Sequence, residues 1–353
     1  MARAAAARLA AAALALALLA PALPAAAEPD GPLIVKRELI RESARISDIG
    51  QAAAKEVLAR AFSEAVTEAD VIAELSQAMI DAGSSELLEG FSAIVASGAA
   101  SAIPHGDYSD DATNYILPGE VVVVDIGARY DGWVSDNTKT YFIGVEPPEL
   151  FLSAYALVAE AQQLAVAQIR SGVLAVDLDT LARDFLAEAG YEEEFMHCLG
   201  HGLGLQVHVP PMLCPDSDDV LLASRNDVVA VEPGLYFDGC LGIRIEDDFA
   251  VLRTGYERYT FASAAMEDIM LAPPEDWNGT SPSGEFADYS GCPFEVDARK
   301  AAGAPPAAMA GGASGAGDAA SAVALAAVLA AAAGTYVFRA PLARAARALL
   351  RRP

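Results

Sequence analysis

Positive charge is what this sequence has least of. Lys and Arg together number 23 against 49 Asp plus Glu, leaving a net charge of −26 over 353 residues. A chain this acidic repels a phosphate backbone, which excludes nucleic acid as its partner. Cysteine is also scarce. Cys198, Cys214, Cys240 and Cys292 contain no CxxC pair, so a zinc knuckle is excluded, and they are compatible with zero, one or two disulfides. No short tandem repeat is present, and that removes the solenoids and propellers. Histidine occurs only four times, at His105, His197, His201 and His208, and three of the four fall in the stretch HCLGHGLGLQVH.

Long apolar runs occur only at the two ends. Residues 1–27 have a short basic start at Arg3 and Arg8, an apolar run over 9–20 and small residues up to Ala27, the pattern of a signal peptide cleaved after Ala27. Near the other end, residues 319–338 carry no charge, follow Asp318, and precede Arg339, Arg344, Arg347, Arg351 and Arg352. This reads as a transmembrane helix, of the roughly 20 residues a bilayer needs, with a basic cytoplasmic tail over 339–353. The expectation is an exported protein whose main domain faces outward, anchored in the cell membrane by its C-terminal helix. That domain spans 33–262. Residues 263–318, rich in Pro, Gly, Ala and Ser and without periodicity, read as a linker, and include the glycosylation sequon Asn278-Gly279-Thr280.

Within the domain, apolar spacing predicts helices over 38–61 and 67–82, the second opened by Thr67, Glu68 and Asp70. A buried strand over 121–124 runs to Asp125, and after the turn Tyr130-Asp131-Gly132 the chain returns as a strand over 133–143. Helices follow over 150–169 and 177–189, then strands over 228–231 and 241–251.

Carboxylates stand out in these strands. Asp125 and Asp136 are almost symmetric about the Tyr130-Asp131 turn, which sets them opposite or diagonal on adjacent strands, about 5 to 8 Å apart at Cβ. Glu232 and Glu246 are symmetric about Gly239 in the same way. Acids paired like this inside aliphatic strands repel, and a divalent cation is the usual compensation. Spacing alone equally allows all four to face solvent from edge strands. The glycine-flanked histidine cluster favours a metal or substrate site.

Four segments, DIGARYDGWVSDNTKT, HCLGHGLGLQVHVPP, VEPGLY and GIRIEDD, resemble in order and spacing the ligand motifs of the pita-bread metallopeptidases. That superfamily includes aminopeptidase P, prolidase, methionine aminopeptidase and creatinase. The resemblance covers residues 37–260. It implies an α+β pita-bread (creatinase/aminopeptidase) fold, a homodimer, and two divalent ions, Mn²⁺, Co²⁺ or Zn²⁺, held by Asp125, Asp136, His201, Glu232 and Glu246. It implies that His105 and His208 contact substrate and stabilise the tetrahedral intermediate, that His197 lines the site, that Arg244 stands beside the last ligand, and that Glu232 shuttles the proton of a bridging hydroxide.

DGWVSDNTKT and FMHCLGHGLGLQVH are more similar to the prolidase and aminopeptidase P branch. The implied activity is hydrolysis of Xaa-Pro bonds in short peptides with proline at the second position. Methionine-aminopeptidase-like or creatinase-like hydrolysis and a non-catalytic peptide-binding module are the competing readings, and the intact ligand set argues against the last. Three departures remove no ligand: Val209 stands for the usual acid, Lys139 for a common arginine, and Cys198 for Gly or Ser. The short stretch before the first helix leaves the N-terminal cap domain of many such enzymes unaccounted for.

Overall fold

The computed structural model describes residues 32–85, 93–106, 114–289 and Cys292. The expected signal peptide, transmembrane helix and basic tail lie outside the described residues, among which no helix is long and apolar enough to cross a membrane.

Helix α1 (Pro32–Leu58) begins earlier than its sequence pattern predicts and ends in a 3₁₀ turn at Ala59–Phe62. Beside the apolar Ile40, Ile46, Val57 and Leu58, its buried face carries small and polar residues, Ser43, Ala44, Ser47, Gly50, Gln51 and Ala54. A Cβ at Gly50 would stand 2.6 Å from Ile126 Cδ1 and 2.8 Å from Met79 Sδ, so α1 lies close enough that a larger residue must push these two side-chain tips aside. Closeness lets its polar groups bond to the sheet. Ser43 donates to Ala128 O (2.7 Å), and Gln51 Nε2 donates to both Val124 O (3.0 Å) and Asn137 O (2.8 Å). Helix α2 (Glu68–Asp81) opens with the expected capping box between Thr67 and Asp70.

The first sheet has the order β1-β2-β5, closed at its β5 edge by the two-residue strand β13 (Met270–Leu271). Strands β1 (Ile94–Ser97), β2 (Val121–Ile126) and β5 (Asn137–Ile143) are antiparallel, with Asp125 opposite Thr138. Between β2 and β5 sits a small hairpin, β3 (Arg129–Tyr130) and β4 (Trp133–Val134), turning on Asp131 (φ 47°) and Gly132 (φ 86°). Two consecutive positive φ values are what a two-residue hairpin loop of the right twist needs. The strand expected over 133–143 is therefore broken at Ser135-Asp136.

Helices α3 (Glu149–Val166) and α4 (Ala175–Glu188) follow. The second sheet has the order β12-β11-β8-β6-β7, formed by β6 (Gly200–Gly202), β7 (Val209–Leu213), β8 (Val228–Val231), β11 (Asp247–Leu252) and β12 (Gly255–Arg258). The hairpin β9 (Gly234–Phe237) and β10 (Leu241–Arg244) extends the β8–β11 pairing, since Asp247 opposes Val231 and Arg244 opposes Gly234. Glu232 and Glu246 fall in the gap between the two paired stretches. The strand expected over 241–251 is interrupted there.

Residues 263–289 do not run free of the domain, as the linker expectation had it. A short helix α5 (Met266–Ile269) leads into β13 (Met270–Leu271), which adds to the first sheet parallel to β5. Trp277 packs edge-on against Phe62 (5.3 Å), Tyr289 donates to Gly119 O and accepts from Val121 N–H, and Cys292 is disulfide-bonded to Cys240. A second disulfide joins Cys198 to Cys214, so both cysteine pairs left open by the sequence are closed.

The tight seat of α1 is testable. Gly50→Val forces two branched carbons against Ile126 and Met79 and is expected to lower unfolding free energy by about 1–3 kcal/mol in urea titration. Unchanged stability would mean that α1 has room to move.

Candidate active site

Two of the candidate ligands, Asp136 and Glu246, sit where a strand leaves its ladder, whereas Asp125 pairs within β2–β5 and His201 within β6–β8. Asp136 N–H, instead of pairing with β2, donates to Asp248 Oδ2 (3.1 Å) in the second sheet. Glu246 N–H crosses the other way, to Thr138 O of the first sheet (3.0 Å). Glu232 N–H donates to Leu199 O (2.8 Å). The two sheets are stitched together at the carboxylates, and the hairpin symmetry read from sequence becomes a single cluster rather than two pairs.

Asp136, His201 and Glu246 are buried and bring ligand atoms within 4.8 Å of one another. His201 Nε2 lies 3.6 Å from Asp136 Oδ2 and 3.4 Å from Glu232 Oε1. Asp125 joins through Arg244, whose Nη2 donates to Asp125 Oδ2 (2.8 Å), and Thr138 Oγ1 donates to Glu246 Oε2 (2.6 Å). The remaining oxygens, Asp125 Oδ1 and Glu246 Oε1, are buried without a hydrogen-bond partner. Unsatisfied carboxylate oxygens beside other carboxylates are costly, and a cation is the group that satisfies them. A set of four carboxylates and one imidazole suits a hard or borderline divalent metal.

Electrostatics follows from this crowding. Burial, and then the neighbouring Glu246 carboxylate, hold Asp136 and Glu232 well above the usual carboxylate range. Glu246 is pushed up to about 8, by burial and then by Asp125. Burial, with His208 nearby, pulls His201 down to about 4, so its ring is neutral at pH 7 with a lone pair available to a metal. The acids cannot all ionise together unless positive charge enters.

The other histidines surround this cluster. His208 is exposed on the approach to β7, its ring centroid 4.2 Å from that of His201. His105 is exposed after the 3₁₀ turn Gly98–Ala102, and the carbonyl of the preceding Pro104 accepts from Arg244 Nη1 (3.1 Å). His197 is partly buried and enters a relay with a fixed direction. Arg244 can only donate, and its Nη1 bonds Tyr236 OH (2.7 Å). The hydroxyl hydrogen is thereby directed to His197 Nε2 (2.8 Å), and the ring proton to Nδ1, which donates to Cys198 O (2.8 Å). Burial, then the Arg244 charge, bring His197 to about 4, in agreement with a neutral ring.

These contacts join Asp125, Asp136, His201, Glu232, Glu246, Arg244 and His197, with His208 packed on His201, and they draw in Tyr236, Thr138 and Asp248, which the sequence did not single out, and Lys139, noted there only as a departure. Tyr236 fixes the His197 tautomer. Thr138 holds Glu246 and accepts from Arg244 Nε (3.2 Å). Asp248, fully buried, orients Asp136. Lys139, also fully buried, donates to Asn137 Oδ1, Thr138 O, Glu246 O and Asp247 Oδ1, and so locks β5 to the start of β11. Period-2 alternation was the available signal: Tyr236 opposes Gly242, where a Cβ would stand 2.9 Å from its ring and 1.9 Å from Ser101 O.

Residues 38–253 match metallopeptidase family M24. The chain belongs to this family. It is 44% identical over 190 residues to a probable dipeptidase PepE of Mycobacterium bovis, covering 54% of this chain and 48% of that protein. It is 37% identical over 231 residues to an Xaa-Pro dipeptidase of Pyrococcus horikoshii, covering 64% and 62%. Prolidase from Pyrococcus furiosus superposes with a TM-score of 0.59 at 35% identity, covering 65% of this chain and 64% of the other. The M24 chain therefore spans about half to under two thirds of the length of these relatives, and its fold is the α+β pita-bread fold expected from the motifs.

The raised carboxylate pKa values set a pH dependence for the metal-free protein. Glu246 binds its proton more tightly folded (about 8) than unfolded (about 4.5), so its contribution is complete at acid pH and is lost as pH rises through about 8. With chelator present, melting temperature should fall across that window, and saturating Mn²⁺ should flatten the decline. Parallel profiles with and without metal would show that these carboxylates do not hold it.

Proposed function

We propose that the chain is a metal-dependent exopeptidase hydrolysing Xaa-Pro bonds in short peptides. The observation that carries this reading is the buried Asp136–His201–Glu246 cluster with Glu232 at its edge and orphaned oxygens on Asp125 and Glu246. The names of the relatives, Xaa-Pro dipeptidase and prolidase among them, support the substrate class.

Two divalent cations, of Mn²⁺, Co²⁺ or Zn²⁺, held by Asp125, Asp136, His201, Glu232 and Glu246 would supply Lewis acidity and an activated water. Around them the side chains have separable tasks. Glu232, more exposed than the Asp136 carboxylate that also flanks His201, takes the water's proton and passes it to the leaving nitrogen. His208, exposed beside His201, donates to the oxyanion as it develops, and His105 contacts the peptide from the opposite segment. Arg244 is committed to Asp125, Tyr236, Thr138 and Pro104, so its role is to orient these groups. His197, held neutral through Tyr236, lines the pocket for a proline ring, whose nitrogen has no hydrogen to donate and whose φ is fixed near −65°.

Export and membrane anchoring belong to the same reading. Export is supported by the two disulfides, which persist in oxidising compartments, while membrane anchoring rests on the uncharged run over 319–338 alone. Protease added to intact cells should then shave off the domain. A homodimer is proposed on family resemblance.

Substrate choice is tested on Ala-Pro, Ala-Pro-Gly, Ala-Ala and Met-Ala-Ser under one metal condition. The proline peptides should be cut and Ala-Ala should not. Preference for Met-Ala-Ser would favour a methionine-aminopeptidase-like enzyme, and silence on all four at full metal occupancy a binding module. His208→Ala should lower kcat by about 100-fold with metal content unchanged.

A further inference from the structure

The segment Phe195 to Leu199 carries His197 and leads directly into His201, yet it contains no described helix or strand. Its backbone is held from outside, and the holding groups stand on α4. Arg183 Nη1 donates to Phe195 O (2.8 Å) and Nη2 to His197 O (2.7 Å). Asp179 Oδ1 accepts from Leu199 N–H (3.0 Å), and the same carboxylate receives Arg183 Nε and Nη2, at 2.9 Å each. Asp179 is fully buried. One ion pair, one helical turn apart, therefore satisfies three alternate backbone groups of the segment, two carbonyls and one amide.

The contact continues through side chains. The Arg183 guanidinium lies 4.3 Å from the centroid of the buried Phe195 ring, Phe195 meets His197 edge-on at 5.3 Å, and His197 bonds Tyr236, which accepts from Arg244. On its other side the segment is tied by Cys198–Cys214, which closes the open end of the β6–β7 hairpin beside the Gly200–Leu213 pair. That hairpin holds His201 near its base and His208 near its turn. A shift of the segment would move both histidines and break the relay that fixes the His197 tautomer.

We propose that Asp179 and Arg183 are positioning residues for this centre, setting the His197 tautomer and the approach of His201 from a helix that touches neither metal ligand nor substrate; this rests on reading the centre as a metallopeptidase site. The α4 pair acts on the segment by hydrogen bonds while the disulfide limits its travel.

The test uses the full chain with Arg183→Leu, the double variant Asp179→Asn/Arg183→Leu, which avoids leaving a buried carboxylate unpaired, and Arg183→Lys, which keeps the charge but not the two-carbonyl fork. Three readouts are taken at 25 °C: Mn²⁺ affinity by calorimetry, imidazole ¹⁵N shifts, and kcat and KM on Ala-Pro. With four histidines in the chain, the ¹⁵N spectrum is small enough to assign. Both leucine variants should lose about tenfold in Mn²⁺ affinity and in kcat. The His197 ring should move towards mixed tautomers while His105 stays in place, and Arg183→Lys should fall between them and wild type. Leu186→Ala, a buried α4 residue outside these contacts, is the stability control: it should lower the melting temperature and move none of the three readouts. If the leucine variants do not fold, Arg183→Lys decides by the same readouts. Folded variants with wild-type Mn²⁺ affinity, His197 shifts and kcat would overturn the proposal. A wild-type protein silent on Ala-Pro, whose metal affinity and His197 shifts still respond to these substitutions, would sink the peptidase reading and leave the positioning role standing.

Discussion

Repulsion among buried carboxylates is the constraint that organises this molecule. Asp125, Asp136, Glu232 and Glu246 converge on one imidazole, with Asp248 buried directly behind them. The protein supplies only part of the opposing charge. Arg244 faces Asp125, and Lys139 is turned to Asp247 and to backbone carbonyls, so the centre keeps an excess of negative charge. Burying like charges this way costs several kcal/mol unless cations enter, and no packing of aliphatic strands around them offsets it. On the proposed reading, folding and metal binding would be coupled, because the same oxygens that oppose the metal-free fold are those that would hold the ions.

Such a cluster cannot be built inside a regular ladder, because successive side chains in a strand point to opposite faces. The chain solves this by breaking strands. Asp136 and Glu246 stand where their own N–H groups leave the strand partner, for Asp248 Oδ2 and Thr138 O, while Asp125 keeps its place in β2 and Glu232 continues the β8–β6 pairing to Leu199 O. The breaks serve two purposes, since the freed backbone groups join the two sheets and the released side chains turn inward together. Lys139 and the Gln51 amide of α1 then fasten the broken ends, which explains two fully buried polar side chains that a hydrophobic core would otherwise have excluded.

Much of this was legible in the sequence because hairpin symmetry and motif spacing are local properties. Asp125 and Asp136 were expected opposite or diagonal, and the Asp131-Gly132 turn, one residue later than the symmetry centre, makes them diagonal, with Thr138 directly across. The strand breaks were not legible. The runs over 133–143 and 241–251 carry β-poor residues at the breaks, Ser135, Asp136 and Glu246, but such residues also occur within paired strands, as Asp247 and Asp248 do, and what interrupts the runs is a bond to a residue more than a hundred positions away. Asp179 and Arg183 are spaced as an ordinary i,i+4 pair on a helix surface, and only the fold reveals that the segment ahead of His201 lies over them. Residues 263–289 look like a linker because their anchors, a two-residue strand, Tyr289 and the nearby Cys292, are too sparse to leave a periodic signal.

The disulfides answer to the same logic. A hairpin whose ladder is irregular at the cluster residues has given up backbone bonds where it most needs a fixed geometry, and the two hairpins of the second half are irregular in this way. β6 is three residues long and pairs with β7 through a register shift, while β8–β9 and β10–β11 are split at Glu232 and Glu246. Each of these hairpins carries one disulfide, Cys198–Cys214 at the base of the first and Cys240–Cys292 at the tip of the second. Cross-links limit the conformations open to the chain around them. They hold in place the two segments that the carboxylate cluster weakens, without adding any group to the centre itself. The first half needs no such aid, because Asp125 and Asp136 are flanked by α1, whose Ser43 and Gln51 bond to the strand ends directly.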